Sequence, residues 1–396
     1  SNPKLANYID LANYFGMPAP VAGPDAYRIK ETRARRGVDI NILPAWNLYD
    51  SSTEEHRHVV VAVIDTGIDI SHPDLKNAIW TNEDEIPGDG IDNDGNGYID
   101  DVHGWNFFDG NNELCKGRED DHGTHAARGN GGIAGITDNN YVKIMVLKAL
   151  GTRYGVGEEK AIIEAIRYAE ANGASICNLS FGTTEYYPEL EKVMRDSKML
   201  FVVSAGNGNA KGIGEDTDQK PDYPSSFDLD NVISAANLMF DGNLAESSNY
   251  GAKSVDIVST IADSGYGFMT GTSMSAPMVT GAAAMLYSYR TDLQLSDIRK
   301  VLLETARKLP TLNGKLSSNG MLDLYAALNY GRTTADSAQT EQTAADGQNA
   351  QDRQNTEQTA AGDQDAEQDP EAGQGTASAA SKTITAGGGE PVSLGW

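Results

Sequence analysis

The chain has 396 residues, a formal net charge of −26 and 39% hydrophobic content, enough apolar side chain for one large core or two ordinary ones. That acidic balance excludes nucleic acid and anionic membrane as partners, because both are gripped through clustered Lys and Arg. Two cysteines, Cys115 and Cys177, make no disulfide framework, and no run of about 18 apolar residues is present to span a membrane as a helix.

In chain order, residues 1–20 lack the basic and apolar blocks of a secretion signal, and the N-terminal segment 1–37 ends in the basic run "ETRARRG". Between 38 and 330 strand and helix patterns alternate. "HVVVAVID" at 58–65, "KIMVLKAL" at 143–150, "SICNLSF" at 175–181 and "LFVVSA" at 200–205 are short apolar runs, the pattern of strands buried on both faces. Cys177 falls inside one of them and reads as a small buried hydrophobe; Cys115 falls in a polar loop. "EEKAIIEAIRYAEANG" predicts a helix with Ile162, Ala165, Ile166 and Ala169 on one face and Gly173 at its end. "FMTGTSMSAPMVTGAAA" at 268–284 predicts a helix of small residues that neighbours can approach closely, with Ser273 at its entrance. "SDIRKVLLETARKL" predicts another, capped by Ser296, with Ile298, Leu302 and Ala306 on one stripe.

This alternation implies an α/β fold: a mainly parallel central sheet with helices on both faces and binding groups at the carboxyl ends of the strands. Beyond 330 the composition changes. Residues 331–382 are polar, acidic and repetitive ("TEQTAADGQNAQD", then "TEQTAAGDQDAEQD"), a segment that cannot bury enough apolar surface to offset its ordering entropy and is expected to be a disordered linker. The segment 383–396 regains strand-like residues, as the start of a further domain would.

Four positions carry chemistry. Ser273, in the first turn of its helix, sits where backbone N–H groups favour developing negative charge; it reads either as a nucleophile or as a helix cap. Asp65 ends an apolar strand, placed to orient an imidazole or to close an Asx-turn. His122 and His125 lie in "DDHGTHAA", and one of them is a candidate general base. A zinc site fits less well, since the protease pattern places its two histidines four apart around a glutamate. Asn207 follows a strand beside Gly206 and Gly208, as an oxyanion donor or an ordinary turn residue.

Taken together, "VAVIDTGIDISHPDL", "DDHGTHAA", "VVSAGN" and "GTSMSAPMVTGAAA" resemble the signature segments of the subtilisin-like serine proteases, the subtilases, over residues 38–330. The resemblance implies a serine endopeptidase acting on polypeptides, with Ser273 as nucleophile, His122 as base, Asp65 as its orienting acid and Asn207 as oxyanion donor. It implies that the strand "NLSFG" pairs with extended substrate, so that Ser180, Gly182 and Gly206 bind peptide backbone. It also implies an extracellular or cell-surface location, and residues 1–37 as the remnant of a pro-segment.

Two side features stand out. In "GDGIDNDGNGYIDD", Asp92, Asp94, Asn96 and Asp100 follow the opening positions of a calcium loop, although His103 occupies the place of the closing Glu. Since similar loops in some subtilases bind calcium, Ca²⁺ is the expected structural ion. The acidic segment 214–224 follows Asn207 close to where the family's specificity pocket would lie, so an acid there would favour Arg or Lys before the cleaved bond, with self-processing after Arg36 as a corollary. Two rivals are an aspartic protease pairing Asp65 with Asp263 and a non-catalytic peptide-binding relative; the first leaves "HGTH" and "GTSMSAP" unexplained.

Overall fold

The computed structural model describes residues 35, 37–117, 120–127, 135–137, 139–151, 157–251, 257–260 and 271–332. A second unit, Arg332–Leu394, falls outside that range apart from its first residue, and so do the expected linker past Arg332, the segment 383–396, Arg36 and Asp263.

The elements alternate as the apolar pattern requires. A helix α1 (Ile42–Asp50) leads into β1 (Val59–Asp65), and β2 (Gly104–Asn106), α2 (Asp121–Ala127) and β3 (Val142–Lys148) follow. Next come α3 (Glu159–Ala171), β4 (Ile176–Leu179), α4 (Pro188–Asp196), β5 (Leu200–Ser204), β6 (Val232–Leu238) and β7 (Ile257–Thr260). The chain then forms α5 (Thr272–Tyr289), α6 (Leu295–Thr305), β8 (Arg307–Lys308), β9 (Gly320–Met321) and α7 (Leu324–Leu328). The sheet order is β2-β3-β1-β4-β5-β6-β7-β9-β8, and only the last pair is antiparallel.

Side-chain alternation divides this sheet into two buried faces. Val61 and Val63 of β1, Ile144 and Val146 of β3, and Val202 of β5 join the core with α5, α6 and α7. Ala62, Ile64, Met145, Leu147, Phe201 and Val203 point the other way, against Ile162, Ile166 and Ala169 of α3 and Leu190 and Met194 of α4. Asp65 and Lys148, register partners at the ends of β1 and β3, have the parity of the first set and so face the α5 side.

The chain leaves β1 toward β2 and β3 on one side and later returns to β4 on its other side, so strand order reverses at β1. Such a switch point opens a crevice at the carboxyl end of the strand, which is where Asp65 stands. Helix α5 is buried along almost its whole length, only Tyr287 being half-exposed, and it packs across the middle of the sheet. Its Ala282, Ala283 and Ala284 are fully buried, as the small-residue pattern predicts. One boundary differs from expectation: α6 is capped by Gln294, with Asp297 reaching back to the Gln294 N–H at 2.9 Å, rather than by Ser296.

Candidate active site

Asp65 is buried at the end of β1, and its Oδ1 lies 2.8 Å from His122 Nδ1 and 2.6 Å from the Thr66 N–H. A carboxylate only accepts, so Nδ1 carries the proton and Nε2 is the basic nitrogen. Burial of the ring pushes the His122 pKa down, but the charge and the hydrogen bond of Asp65 outweigh it, and the net shift is upward from the ordinary value.

The approach of α2 to β1 depends on a residue without a side chain: a Cβ on Gly123 would stand 2.3 Å from the Gly67 carbonyl oxygen and 3.1 Å from Asp65 Cβ. Gly67 itself has a φ of +122°, which favours glycine. The Gly123 N–H donates to Thr66 Oγ1 at 3.1 Å. Behind this joint lies a buried ion pair between the first residue of "DDHGTHAA" and the end of β3: Lys148 Nζ donates to Asp120 Oδ1 at 2.5 Å and to the carbonyls of Thr66 and Leu150. Asp120 Oδ2 accepts the Lys116 N–H, so the pair joins β3, the exit of β1 and the start of α2. The signal was present in the sequence, since a lysine inside an otherwise apolar strand is rarely buried without a partner.

Ser273 is the second residue of α5, and the N-cap is Gly271, so the serine is not the cap. The Ser273 hydroxyl donates to the Ser180 carbonyl at 3.0 Å, while the Ser180 hydroxyl donates to the Ser273 carbonyl at 2.9 Å. Pro277 explains this exchange: it lacks the N–H that would bond the carbonyl four residues earlier, so Ser273's carbonyl needs another donor. Asn178 Nδ2 donates to Ser180 Oγ at 2.9 Å, and Thr280 Oγ1 lies 2.8 Å from Asn178 Oδ1, continuing the chain of contacts into the core.

Thr272 fixes the orientation of Asn207. Its N–H and its hydroxyl both donate to Asn207 Oδ1, at 2.8 and 3.1 Å, which leaves Nδ2 without a hydrogen-bond acceptor among the described residues at the entrance of α5. Gly271, with a φ of +152°, runs close beside it, and a Cβ there would come within 3.0 Å of Asn207 Oδ1. Ser180 and Gly182 lie past the end of β4, a strand flanked by β1 and β5, so any edge open to a substrate belongs to the segment beyond the sheet. Cys177 is buried in β4, and burial raises its pKa; burial does the same for the partly exposed Cys115.

In the acidic loop, carboxylate oxygens of Glu85, Asp92 and Asp94 lie within 4.8 Å of one another. Asp92 and Asp94 were expected there, but Glu85 lies outside the loop pattern that sequence can match. Asn96 binds the edge of this cluster through Asp94 at 2.9 Å, whereas Asp100 accepts the N–H groups of Gly88 and Gly90 and closes the loop instead. Hydrogen bonding from the Gly97 N–H holds the Asp92 pKa below its usual range. Three ionised carboxylates with hard oxygen donors fit Ca²⁺. Among the described residues no such group of three forms around His122 and His125. The aspartic-protease rival loses ground because Asp65 pairs with an imidazole in a parallel α/β sheet.

Comparison with known proteins agrees with this geometry. The profile of the Subtilase family matches residues 56–354. The chain is 33% identical over 290 residues to the "Major intracellular serine protease" of Bacillus subtilis (strain 168), covering 68% of this chain and 82% of that protein. It is 33% identical over 302 residues to "Subtilisin-like protease 1" of Plasmodium vivax, again over 68% of this chain but only 47% of that longer relative. A solved protease from Pseudoalteromonas arctica PAMC 21717 superposes with a TM-score of 0.51 and 24% identity over 73% of this chain and 93% of its own, a likeness of fold. The extracellular or cell-surface location implied by the resemblance is corrected here. The Bacillus subtilis relative is named as intracellular, and a catalytic signature reports chemistry rather than compartment. Among the described residues no helix is long and apolar enough to cross a membrane.

Replacing Lys148 by Met should lower the unfolding free energy by about 3–5 kcal/mol, because Asp120 is left buried and unpaired, and the double change Lys148→Met with Asp120→Leu should recover much of that loss. Urea unfolding of the two variants checks this; a single variant as stable as the parent would remove the ion pair from the account.

Proposed function

Because the chain belongs to the subtilase family and is a serine endopeptidase, we propose that it cleaves peptide bonds through Ser273, His122, Asp65 and Asn207. The Asp65–His122 hydrogen bond, formed on the sheet face where α5 presents Ser273, carries this reading. At rest the Ser273 proton points to the Ser180 carbonyl, so attack begins with rotation of the hydroxyl toward His122 Nε2. Ser273 Oγ then bonds to the scissile carbonyl carbon as His122 takes its proton. Asp65 stays ionised and stabilises the imidazolium. The carbonyl oxygen, now carrying the charge, is met by Asn207 Nδ2 and by the first-turn N–H of Ser273. His122 returns its proton to the leaving amine as the C–N bond breaks, leaving an acyl-enzyme. A water deprotonated by His122 attacks that ester, and the proton returns to Ser273 as the acid is released. Substrate backbone runs along the segment of Ser180 and Gly182 beyond β4, opposite Gly206.

We also propose that Ca²⁺ is the resident ion of the acidic loop, held by Glu85, Asp92 and Asp94, with Asn96 beside them. Its chemistry there is neutralisation of converging charge; it takes no part in the reaction.

Ser273→Ala should abolish cleavage of denatured casein and labelling by a fluorophosphonate while the melting curve stays close to that of the parent. Absence of labelling in the parent would favour a peptide-binding relative instead. Asn207→Leu should lower kcat by about 100- to 1,000-fold, the usual loss for one oxyanion donor.

The pH dependence follows from His122. Activity needs its neutral form, so kcat/KM should fall as pH drops through a pKa raised above the ordinary value of about 6.5. Asp65→Asn should move that acid limb to lower pH, since it removes the charge that raises the pKa. A limb that stays in place would detach Asp65 from the base.

Chelation by EDTA should lower the melting temperature, added Ca²⁺ should restore it, and Glu85→Gln should blunt both responses. Calorimetry that shows no shift would remove the ion.

A further inference from the structure

Asp222, an acid of the segment 214–224, has no cation partner among the described residues. Glu215 pairs with Lys220 at 2.5 Å, and Asp216 accepts the Asp218 N–H at 3.0 Å. Asp222 Oδ1 is buried and has no hydrogen-bond partner. With no cation to offset desolvation, its pKa is pushed up to about 7.

The place of this carboxylate matters more than its pKa. A Cβ on Gly182 would stand 2.2 Å from Asp222 Oδ1, and a Cβ on Gly206 would stand 2.9 Å from Oδ2. The carboxylate therefore lies against two glycines, with the Asn249 amide nitrogen beside it, 2.3 Å from the same position on Gly206. Gly206 immediately precedes Asn207, and Gly182 is two residues past Ser180, whose carbonyl receives the Ser273 hydroxyl. Nor is the position loose. Thr183 and Tyr223 exchange both main-chain hydrogen bonds, at 2.8 and 2.7 Å. The Asp222 N–H donates to Ser226 Oγ at 3.1 Å, and its carbonyl accepts from Ser225 Oγ at 2.8 Å.

A carboxylate taken out of water without a partner is costly, and the cost is relieved when a bound cation completes the pair. A scissile carbonyl held between Ser273 and Asn207 would lie one residue along the chain from Gly206. A long side chain with a charged tip can run past residues that carry no side chain and bring its cation to the acid behind them. We propose that Asp222 selects polypeptides carrying arginine or lysine immediately before the cleaved bond. This rests on the serine-protease reading of Ser273 and Asn207, and it narrows the expectation from the acidic segment to one residue.

The test uses the full chain and four peptide substrates identical except for Arg, Lys, Phe or Glu before the scissile bond. The parent enzyme should cleave the Arg and Lys peptides with kcat/KM about 10- to 100-fold above the Phe peptide, the range of one charge-assisted contact, and the Glu peptide least. Benzamidine, a cation that needs no variant, should compete with the Arg peptide. Asp222→Asn should reduce the Arg-to-Phe ratio by a similar factor; since both substrates meet the same sample, a partly unfolded variant leaves the ratio unmoved. Preference for Phe in the parent, an unchanged ratio in the variant, or no competition by benzamidine would each overturn the assignment of Asp222 while cleavage itself persists. Failure to cleave any of the four, with no fluorophosphonate labelling, would instead overturn the catalytic reading on which it stands.

Discussion

A buried carboxylate at the end of β1, held 2.8 Å from an imidazole, is the contact on which the rest of this molecule turns. Its position follows from parity. Alternate residues of β1 face α5, and Asp65 continues the series of Val61 and Val63 into the crevice where strand order reverses. The Thr66 N–H and the imidazole both meet its Oδ1, while Oδ2 is buried and accepts no hydrogen bond among the described residues. The imidazole is held in its turn by the seating of α2, which depends on Gly123 at the contact and on Lys148 and Asp120 behind it.

Helix α5 shows how one substitution in an otherwise regular pattern can set a geometry. A proline six residues into a buried helix removes a main-chain donor and would leave the Ser273 carbonyl unsatisfied. The Ser180 hydroxyl fills that place, and the Ser273 hydroxyl answers by donating to the Ser180 carbonyl. The two hydrogen bonds lock the end of β4 to the first turn of the helix, while Thr272 locks Asn207 to the same turn. Candidate nucleophile, candidate oxyanion donor and the segment beyond β4 are thereby fixed to one another by hydrogen bonds. The helix can carry them only because its small residues allow it to lie against the middle of the sheet.

Much of this arrangement was legible in the sequence, and the parts that were not share a cause. Strands β1, β3, β4 and β5 are buried on both faces, so their apolar runs stood out within one or two residues of their ends. Strands β8 and β9 have two residues each, too few to show any period. Asp65, His122, Asn207 and Ser273 lie in contiguous motifs with recognisable neighbours. Glu85, Asp120 and Lys148 act through tertiary contact, and no local pattern couples a lysine of β3 to an aspartate 28 positions earlier. The calcium loop was half visible for a related reason: alternation of oxygen-bearing residues marks a turn, but which carboxylates converge is set by how the loop folds back on Glu85, whose Oε2 accepts the Asp100 N–H while Asp100 itself turns to Gly88 and Gly90.

Three carboxylates near the carboxyl ends of the strands, Asp65 and Asp120 buried and Asp222 half-buried, show how environment assigns different tasks to one functional group. Asp120 is met by an ammonium and is complete; its contribution is to hold two elements together. Asp65 is met by a group that can itself gain or lose a proton, so its charge is felt as a shift in the basicity of a neighbour. Asp222 is met by glycines on two sides and by no cation among the described residues, which leaves its balance to come from outside the molecule. A protein that tolerates such an imbalance loses some stability of the free state. It gains discrimination, because a ligand that supplies the missing charge is favoured over one that cannot. The rank of these three acids, from fully paired to unpaired, therefore runs parallel to their distance from architecture and their nearness to substrate choice.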